Sequence, residues 1–289
     1  MDSQLVVGID VGGQTTKLGV VDARGTVLAQ TVIRTDTYST IEPYIAELAE
    51  AINKIIKDAD AEGKVRGIGV GAPNGNYYTG TIENAPNLPW GHNGVVEFAK
   101  LLSAAMNGLP VALTNDANAA AVGEMTYGAA RGMKNFIMIT LGTGVGSGIV
   151  INGEVVYGHD GFAGELGHTA AVRNNGRQCN CGKTGCLEAY ASATGVARTA
   201  REWLELTDEP SVLRNLDTIA SKDVYDAAKE GDKLALKIFD FTGRILGRSF
   251  ADFIAFSAPE AIVLFGGLAR AKEFLLAPME EAMNAHLLP

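Results

Sequence analysis

Asp10-Val11-Gly12-Gly13-Gln14-Thr15-Thr16-Lys17-Leu18-Gly19-Val20-Val21 follows an apolar run at 5–9 and leads into a turn at Asp22-Ala23-Arg24-Gly25 and a strand-like run at 26–33. A looser copy comes later. The apolar run at 136–141 enters Gly142-Thr143-Gly144-Val145-Gly146-Ser147-Gly148, and a turn follows at Asn152-Gly153. Both stretches read as strand, polar glycine loop, strand and tight turn, because β-branched apolar runs punctuated by Gly, Asn and Asp mark hairpins. Repetition of a whole supersecondary unit predicts two halves of like architecture, each offering one hairpin to a shared ligand. Two such hairpins make a phosphate clamp. Glycine lets the backbone approach phosphate oxygens, and Thr15, Thr16, Thr143 and Ser147 add hydroxyl donors. Either loop alone is more often an ordinary hairpin turn. Neither matches GxxxxGK[ST], and neither places GxGxxG between a strand and a helix.

Outward from the first hairpin, apolar residues recur at Ile41, Ile45, Leu48, Ile52, Ile55 and Ile56, a helical spacing. Strands are predicted at 65–70 and 111–114, an alanine-rich helix at 117–127, and a strand at 261–265 that runs into Gly266-Gly267. The stretch 232–258 is helical in character but interrupted by Gly243 and Gly247, with no role beyond packing. Asn74-Gly75-Asn76-Tyr77-Tyr78 and Asn84-Ala85-Pro86-Asn87-Leu88-Pro89-Trp90 read as exposed turns, and His92, His159 and His286 belong to no motif.

At 289 residues the chain is long enough for two domains. Its 47% hydrophobic and 20% charged residues fit an ordinary globular protein rather than a disordered one. A net charge of −9 with no basic cluster excludes an electrostatic footprint for nucleic acid or an anionic membrane, so a small-molecule partner is expected. The first residues lack a basic stretch followed by a signal-like apolar core, and no apolar run could span a bilayer, so the expected location is the cytoplasm.

All three cysteines fall in Cys179-Asn180-Cys181-Gly182-Lys183-Thr184-Gly185-Cys186, downstream of His168. Three thiols and an imidazole fill a tetrahedral zinc shell, and a shell closed by protein is structural rather than catalytic. An odd number of cysteines with tight CxC spacing argues against a disulfide framework. The plainer alternative is a turn-rich loop with three reduced thiols.

Asp116 follows the strand at 111–114 and opens the helix near Ala117. Its residue chemistry allows two roles: a helix cap, or a carboxylate held rigidly as a general base.

The combination of Asp10-Val11-Gly12-Gly13, Thr114-Asn115-Asp116-Ala117-Asn118-Ala119-Ala120-Ala121, Gly164-Glu165-Leu166-Gly167-His168 and the cysteine cluster closing on Glu188 resembles the ROK sugar kinases over nearly the whole chain. The resemblance implies an α/β, two-lobed, duplicated ribonuclease H-like (actin-like ATPase) fold with a zinc-stabilised loop. It places a first lobe at 1–114 and a second at 115–289, the latter without the family's final strand and helix. It implies ATP- and Mg²⁺-dependent phosphorylation of a hexose, above all glucose at the 6-hydroxyl, with Asp116 as base. Asn84, Asn115, Glu165, His168 and Glu188 would hold the sugar. Asp10, Gly12, Gly13, Thr15, Thr16, Thr143, Gly144, Gly266 and Gly267 would hold the nucleotide, and His168, Cys179, Cys181 and Cys186 the structural zinc. A homo-oligomer is implied as well. Gln14-Thr15-Thr16 stands where the family often has Lys and Thr, which leaves a phosphate contact from Gln14 open. Other hexoses, including mannose, fructose, N-acetylmannosamine and N-acetylglucosamine, remain compatible. So does a sugar-binding regulator, although Asp10 comes too early for a preceding helix-turn-helix domain.

Overall fold

The computed structural model describes residues 4–288. The chain forms two compact units: one extends to Gly132 and takes back Val155–Ala163, the other comprises Met133–Glu154 and the chain from Gly164 onward.

In the first unit, β1 (Leu5–Val11), β2 (Thr15–Val21) and β3 (Val27–Arg34) form an antiparallel meander. Helix α1 (Ile41–Asp58) then returns the chain to β4 (Val65–Ala72), which pairs parallel to β1. A small sheet of β5 (Gly75–Asn76), β6 (Thr81–Glu83) and β7 (Val95–Val96) precedes α2 (Phe98–Ala105), β8 (Val111–Asn115) and α3 (Asp116–Tyr127). The main sheet runs β3-β2-β1-β4-β8. Strand alternation drives Leu5, Val7, Ile9 and Val11 into the core, where they meet Tyr44, Leu48, Ile52 and Ile55 of α1 and Phe98 and Leu102 of α2. Each such side chain contributes about 1.5–3 kcal/mol on burial.

The second unit begins with β9 (Phe136–Leu141), β10 (Val145–Ile151) and β11 (Glu154–Val155). It continues through α4 (Glu188–Ala191), α5 (Ala193–Leu206), α6 (Ser221–Lys229), α7 (Lys233–Ser257), β12 (Ala261–Phe265) and α8 (Lys272–Asn284). Its sheet runs β11-β10-β9-β12, with β12 parallel to β9. The order β10-β9-β12 repeats β2-β1-β4, an antiparallel hairpin flanked by a parallel strand, so the repeat read in the sequence is present in the topology. None of the helices among the described residues is long and apolar enough to cross a membrane.

Two expectations need correction. The division at 114/115 gives way to one at 132/133, because α3 packs on the sheet that precedes it: a Cβ at Gly71 of β4 would lie 3.0 Å from the Ala119 Cβ. Segment 155–163 also rejoins the first unit. Gly243 and Gly247 do not interrupt a helix, since α7 is continuous through both. They are contact points for α8: a Cβ at Gly247 would stand 2.1 Å from the Met279 carbonyl oxygen, and one at Gly243 2.8 Å from that of Leu275.

Candidate active site

In the first unit, the end of β8 delivers Asn115 and Asp116 to the start of α3. Asn115, extended at φ −60° and ψ 145°, is the N-cap, and its Oδ1 accepts the Ala117 N–H at 2.9 Å. This disposes of the capping role for Asp116, which is the first helical residue. Its Oδ1 also takes the Ala117 N–H, at 2.7 Å. The Asp116 side chain is exposed, with protein crowded around its carboxyl group. That enclosure raises its pKa, with a further upward push from the charge of Asp10, and the Ala117 N–H offsets only part of the rise. The helix N-terminus acts in the opposite sense, favouring the ionised form.

Asp10, near the end of β1, is exposed, and the first glycine loop follows it. Gly12 N–H donates to the Thr15 carbonyl at 3.0 Å and closes a tight turn. Gly13 packs so closely against Asn87 that a Cβ would lie 2.9 Å from its carbonyl oxygen. Thr15 is half-buried and the Gln14 side chain is exposed. Thr16 departs from expectation: it is fully buried, and its hydroxyl bonds Thr35 Oγ1 at 2.8 Å and the Tyr44 hydroxyl at 2.7 Å. It is a core residue and cannot meet a phosphate. Asn84 has φ +49° and an exposed side chain whose Oδ1 accepts the Gly94 N–H at 3.0 Å.

In the second unit, the loop between β9 and β10 closes one residue tighter than the first, with Gly142 N–H donating to the Gly144 carbonyl at 3.0 Å. Thr143 is exposed, and its carbonyl accepts the Thr194 hydroxyl at the start of α5. Because β12 runs parallel to β9, Gly266 (φ +98°) ends beside Leu141, where a Cβ would meet the Leu141 carbonyl oxygen at 2.5 Å. Gly266 and the second glycine loop are thus neighbours, and Gly267 is exposed next to them. Ser147 proves unavailable as a phosphate donor. It is buried, its hydroxyl donates to the Gly164 carbonyl, and it accepts the Leu166 N–H at 3.0 Å.

Glu188, the first residue of α4, reaches further than its sequence position suggests. Its Oε2 accepts the Val145 N–H at 2.9 Å, and its Oε1 lies 3.8 Å from Cys179 Sγ, so one carboxylate joins the second glycine loop to the cysteine cluster. A Cβ at Gly144 would come 2.4 Å from Glu188 Oε2, which requires glycine there.

The ligand atoms of His168, Cys179, Cys181 and Cys186 all lie within 4.8 Å of one another. Cys181 Sγ and Cys186 Sγ are 3.6 Å apart, and Cys179 Sγ is 3.8 Å from His168 Nδ1. A tetrahedron with zinc–sulfur bonds of about 2.3 Å has edges of about 3.8 Å, so the four donors fit one ion. None of the cysteines is in a disulfide. The other imidazole nitrogen, Nε2, faces Glu165 Oε2 at 4.0 Å, close for a carboxylate but beyond hydrogen-bond reach. Arg177, overlooked in the sequence, anchors the base of this loop. It pairs with Glu202 at 2.6 Å, stacks over the Tyr190 ring at 4.5 Å and donates to Thr199 Oγ1 at 2.9 Å.

A model of the ROK family matches residues 6–289. The chain is 38% identical to a glucokinase of Halalkalibacterium halodurans, over 100% of this chain and 88% of that protein. A ROK family glucokinase from Streptomyces griseus, solved with glucose and AMPPNP, is 33% identical with a TM-score of 0.77, covering 99% of this chain and 90% of that one. A ROK family transcriptional regulator, a homologue of the E. coli MLC protein, superposes with a TM-score of 0.86 at 29% identity, over 99% of this chain and 71% of that one. The mixed α/β sheets fit the actin-like duplicated fold, and the chain belongs to the ROK family.

Proposed function

We infer that this ATP-dependent sugar kinase of the ROK family phosphorylates glucose at the 6-hydroxyl, with Asp116 as the general base. The observation that carries this reading is the Asp116 carboxylate, held on the rigid start of α3, partly open, and raised in pKa. A base whose pKa approaches the working pH takes a proton more effectively than an ordinary carboxylate. As the sugar oxygen attacks the γ-phosphorus, its proton passes to Asp116, the bond from γ-phosphorus to the bridging oxygen breaks, and ADP leaves.

Asn84, Asn115, Glu165, His168 and Glu188 would orient the sugar hydroxyls. Asp10, Gly12, Gly13, Thr15, Thr143, Gly144, Gly266 and Gly267 would cradle ATP, which arrives with Mg²⁺. Zinc on His168, Cys179, Cys181 and Cys186 would serve structure, fixing the imidazole that faces Glu165. The preference for glucose is supported by the glucokinase relatives. The cytoplasm, where ATP is supplied, is the expected location, and a homo-oligomer is the expected assembly. The regulator's similarity reflects the shared fold; a retained, accessible Asp116 favours catalysis.

The test is ADP release by the purified protein with ATP and Mg²⁺ across glucose, mannose, fructose, N-acetylmannosamine and N-acetylglucosamine. Glucose should give the highest kcat/KM. A higher value for another hexose would refute the substrate assignment, and no turnover with any of them would refute the enzyme reading.

A further inference from the structure

The segment 155–163 is covalently part of the stretch between β10 and His168 yet folds with the first unit. It is a tight loop closed on itself by Ala163 N–H to the Tyr157 carbonyl at 3.0 Å and by Phe162 N–H to Asp160 Oδ1 at 3.1 Å. Three consecutive residues at β5 and just after it grip the loop. The Tyr77 and Tyr157 rings stack face to face, with centroids 4.1 Å apart and planes 3° from parallel. The Tyr78 hydroxyl donates to the Gly158 carbonyl at 2.8 Å, and Asn76 Nδ2 donates to the Asp160 carbonyl at 2.9 Å. Asn76 is buried, and its Nδ2 also donates to Glu83 Oε1, which takes the Thr81 hydroxyl as well. The fit leaves no slack at Gly161 (φ +91°), where a Cβ would stand 2.4 Å from Asn76 Oδ1.

What the loop leads into gives this grip a consequence. The next residue after 163 is Gly164, followed by Glu165 and, three further on, His168. Beyond the loop, Ser147 holds Gly164 and Leu166 by their backbone groups. Glu165 therefore lies between two residues held by Ser147, and the chain runs from the gripped loop into it through Gly164 alone. Tyr77 and Tyr78 remain about half exposed, at 48% and 58%.

We propose that Asn76, Tyr77 and Tyr78 are positioning residues for the 164–168 segment, acting on the sugar through Glu165 and His168 without touching it. This rests on the reading of Glu165 and His168 as sugar ligands, so the experiment separates the two. Hydrogen exchange at the Leu166, His168 and Thr169 amides reads the positioning directly, and steady-state kinetics read the sugar. In Tyr77→Ala/Tyr78→Phe, loss of a stack and a hydrogen bond should speed exchange across 164–169 by about tenfold or more and raise the KM for glucose by a similar factor. The KM for ATP should stay within about twofold. Tyr77→Phe alone keeps the ring and should restore both values. Unchanged exchange across 164–169 overturns the proposal. Faster exchange with an unmoved glucose KM also overturns it, and Glu165→Gln then identifies the failed premise. An unmoved glucose KM in Glu165→Gln refutes the sugar reading, whereas a raised one refutes the positioning role alone. If the double variant does not fold, Tyr78→Phe, which deletes one exposed hydroxyl, carries the same test.

Discussion

Replacing Glu188 with Gln should weaken the use of both substrates, although the residue is assigned to the sugar. Its Oε2 accepts the Val145 N–H at 2.9 Å where the second glycine loop closes, and Gly144 packs directly against it. A hydrogen bond to an ionised acceptor contributes about 1.5–3 kcal/mol, against about 0.5–1.5 kcal/mol for a neutral pair. Gln keeps an oxygen in place but loses the charge, so the loop is weakened by about 1–1.5 kcal/mol, or roughly tenfold in an equilibrium constant. Glu188→Ala leaves the Val145 N–H unpaired and should cost about 1–3 kcal/mol. Steady-state kinetics with ATP and glucose varied in turn supply the assay, with thermal unfolding as the control for global damage. The KM for ATP should rise along with that for glucose in Glu188→Gln, and further in Glu188→Ala. A KM for ATP that stays at the wild-type value in Glu188→Ala would refute the idea that this carboxylate shapes the nucleotide loop.

Thr16→Val should lower thermal stability by about 1–3 kcal/mol, because it strands the Thr35 and Tyr44 hydroxyls in the core, while the KM for ATP stays unchanged; a selective rise in that KM would return Thr16 to the nucleotide site. Protein purified without added metal should contain one zinc per chain by elemental analysis, and chelation should loosen 179–186 more than the Arg177 anchor, as read by proteolysis. Substoichiometric zinc with full activity would contradict this. The raised pKa of Asp116 places the acid limb of kcat/KM above the ordinary carboxylate range. The same shift has a definite sign for stability. The folded state holds the Asp116 proton to higher pH than the unfolded chain, so this group's contribution declines as pH rises from the ordinary carboxylate value through the folded pKa. Asp116→Asn should therefore unfold at a higher temperature than wild type at neutral pH, and an equal or lower one would contradict the burial argument.

The duplicated architecture was legible because strand period, glycine punctuation and turn residues all coincide in both hairpins. The burial of Thr16 was legible in principle: it shares the strand alternation of Leu18 and Val20, both core residues, and the hydroxyl distracted from the pattern. Ser147 lies likewise in register with Val145 and Ile149. Gly243 and Gly247 stand four apart, which puts both on one helix face and suits close helix packing as well as it suits a break. Other features could not be read locally. The Glu188 to Val145 bond spans 43 residues, and the return of 155–163 to the first unit depends on rings 80 residues apart in the chain. Local spacing carries no record of such pairings, which the folded topology alone brings together.

The role of Asp116 is tested most directly by comparing wild type with Asp116→Asn in two measurements on the same preparations: kcat for ADP release with saturating ATP and glucose, and glucose affinity by titration calorimetry. Asn keeps the bond to the Ala117 N–H but cannot take the proton, so kcat should fall by about 10² or more while the Kd for glucose stays within a few-fold. A variant that turns over near the wild-type rate would remove Asp116 from the base role, and one that loses kcat only in proportion to lost glucose binding would make it a binding residue instead.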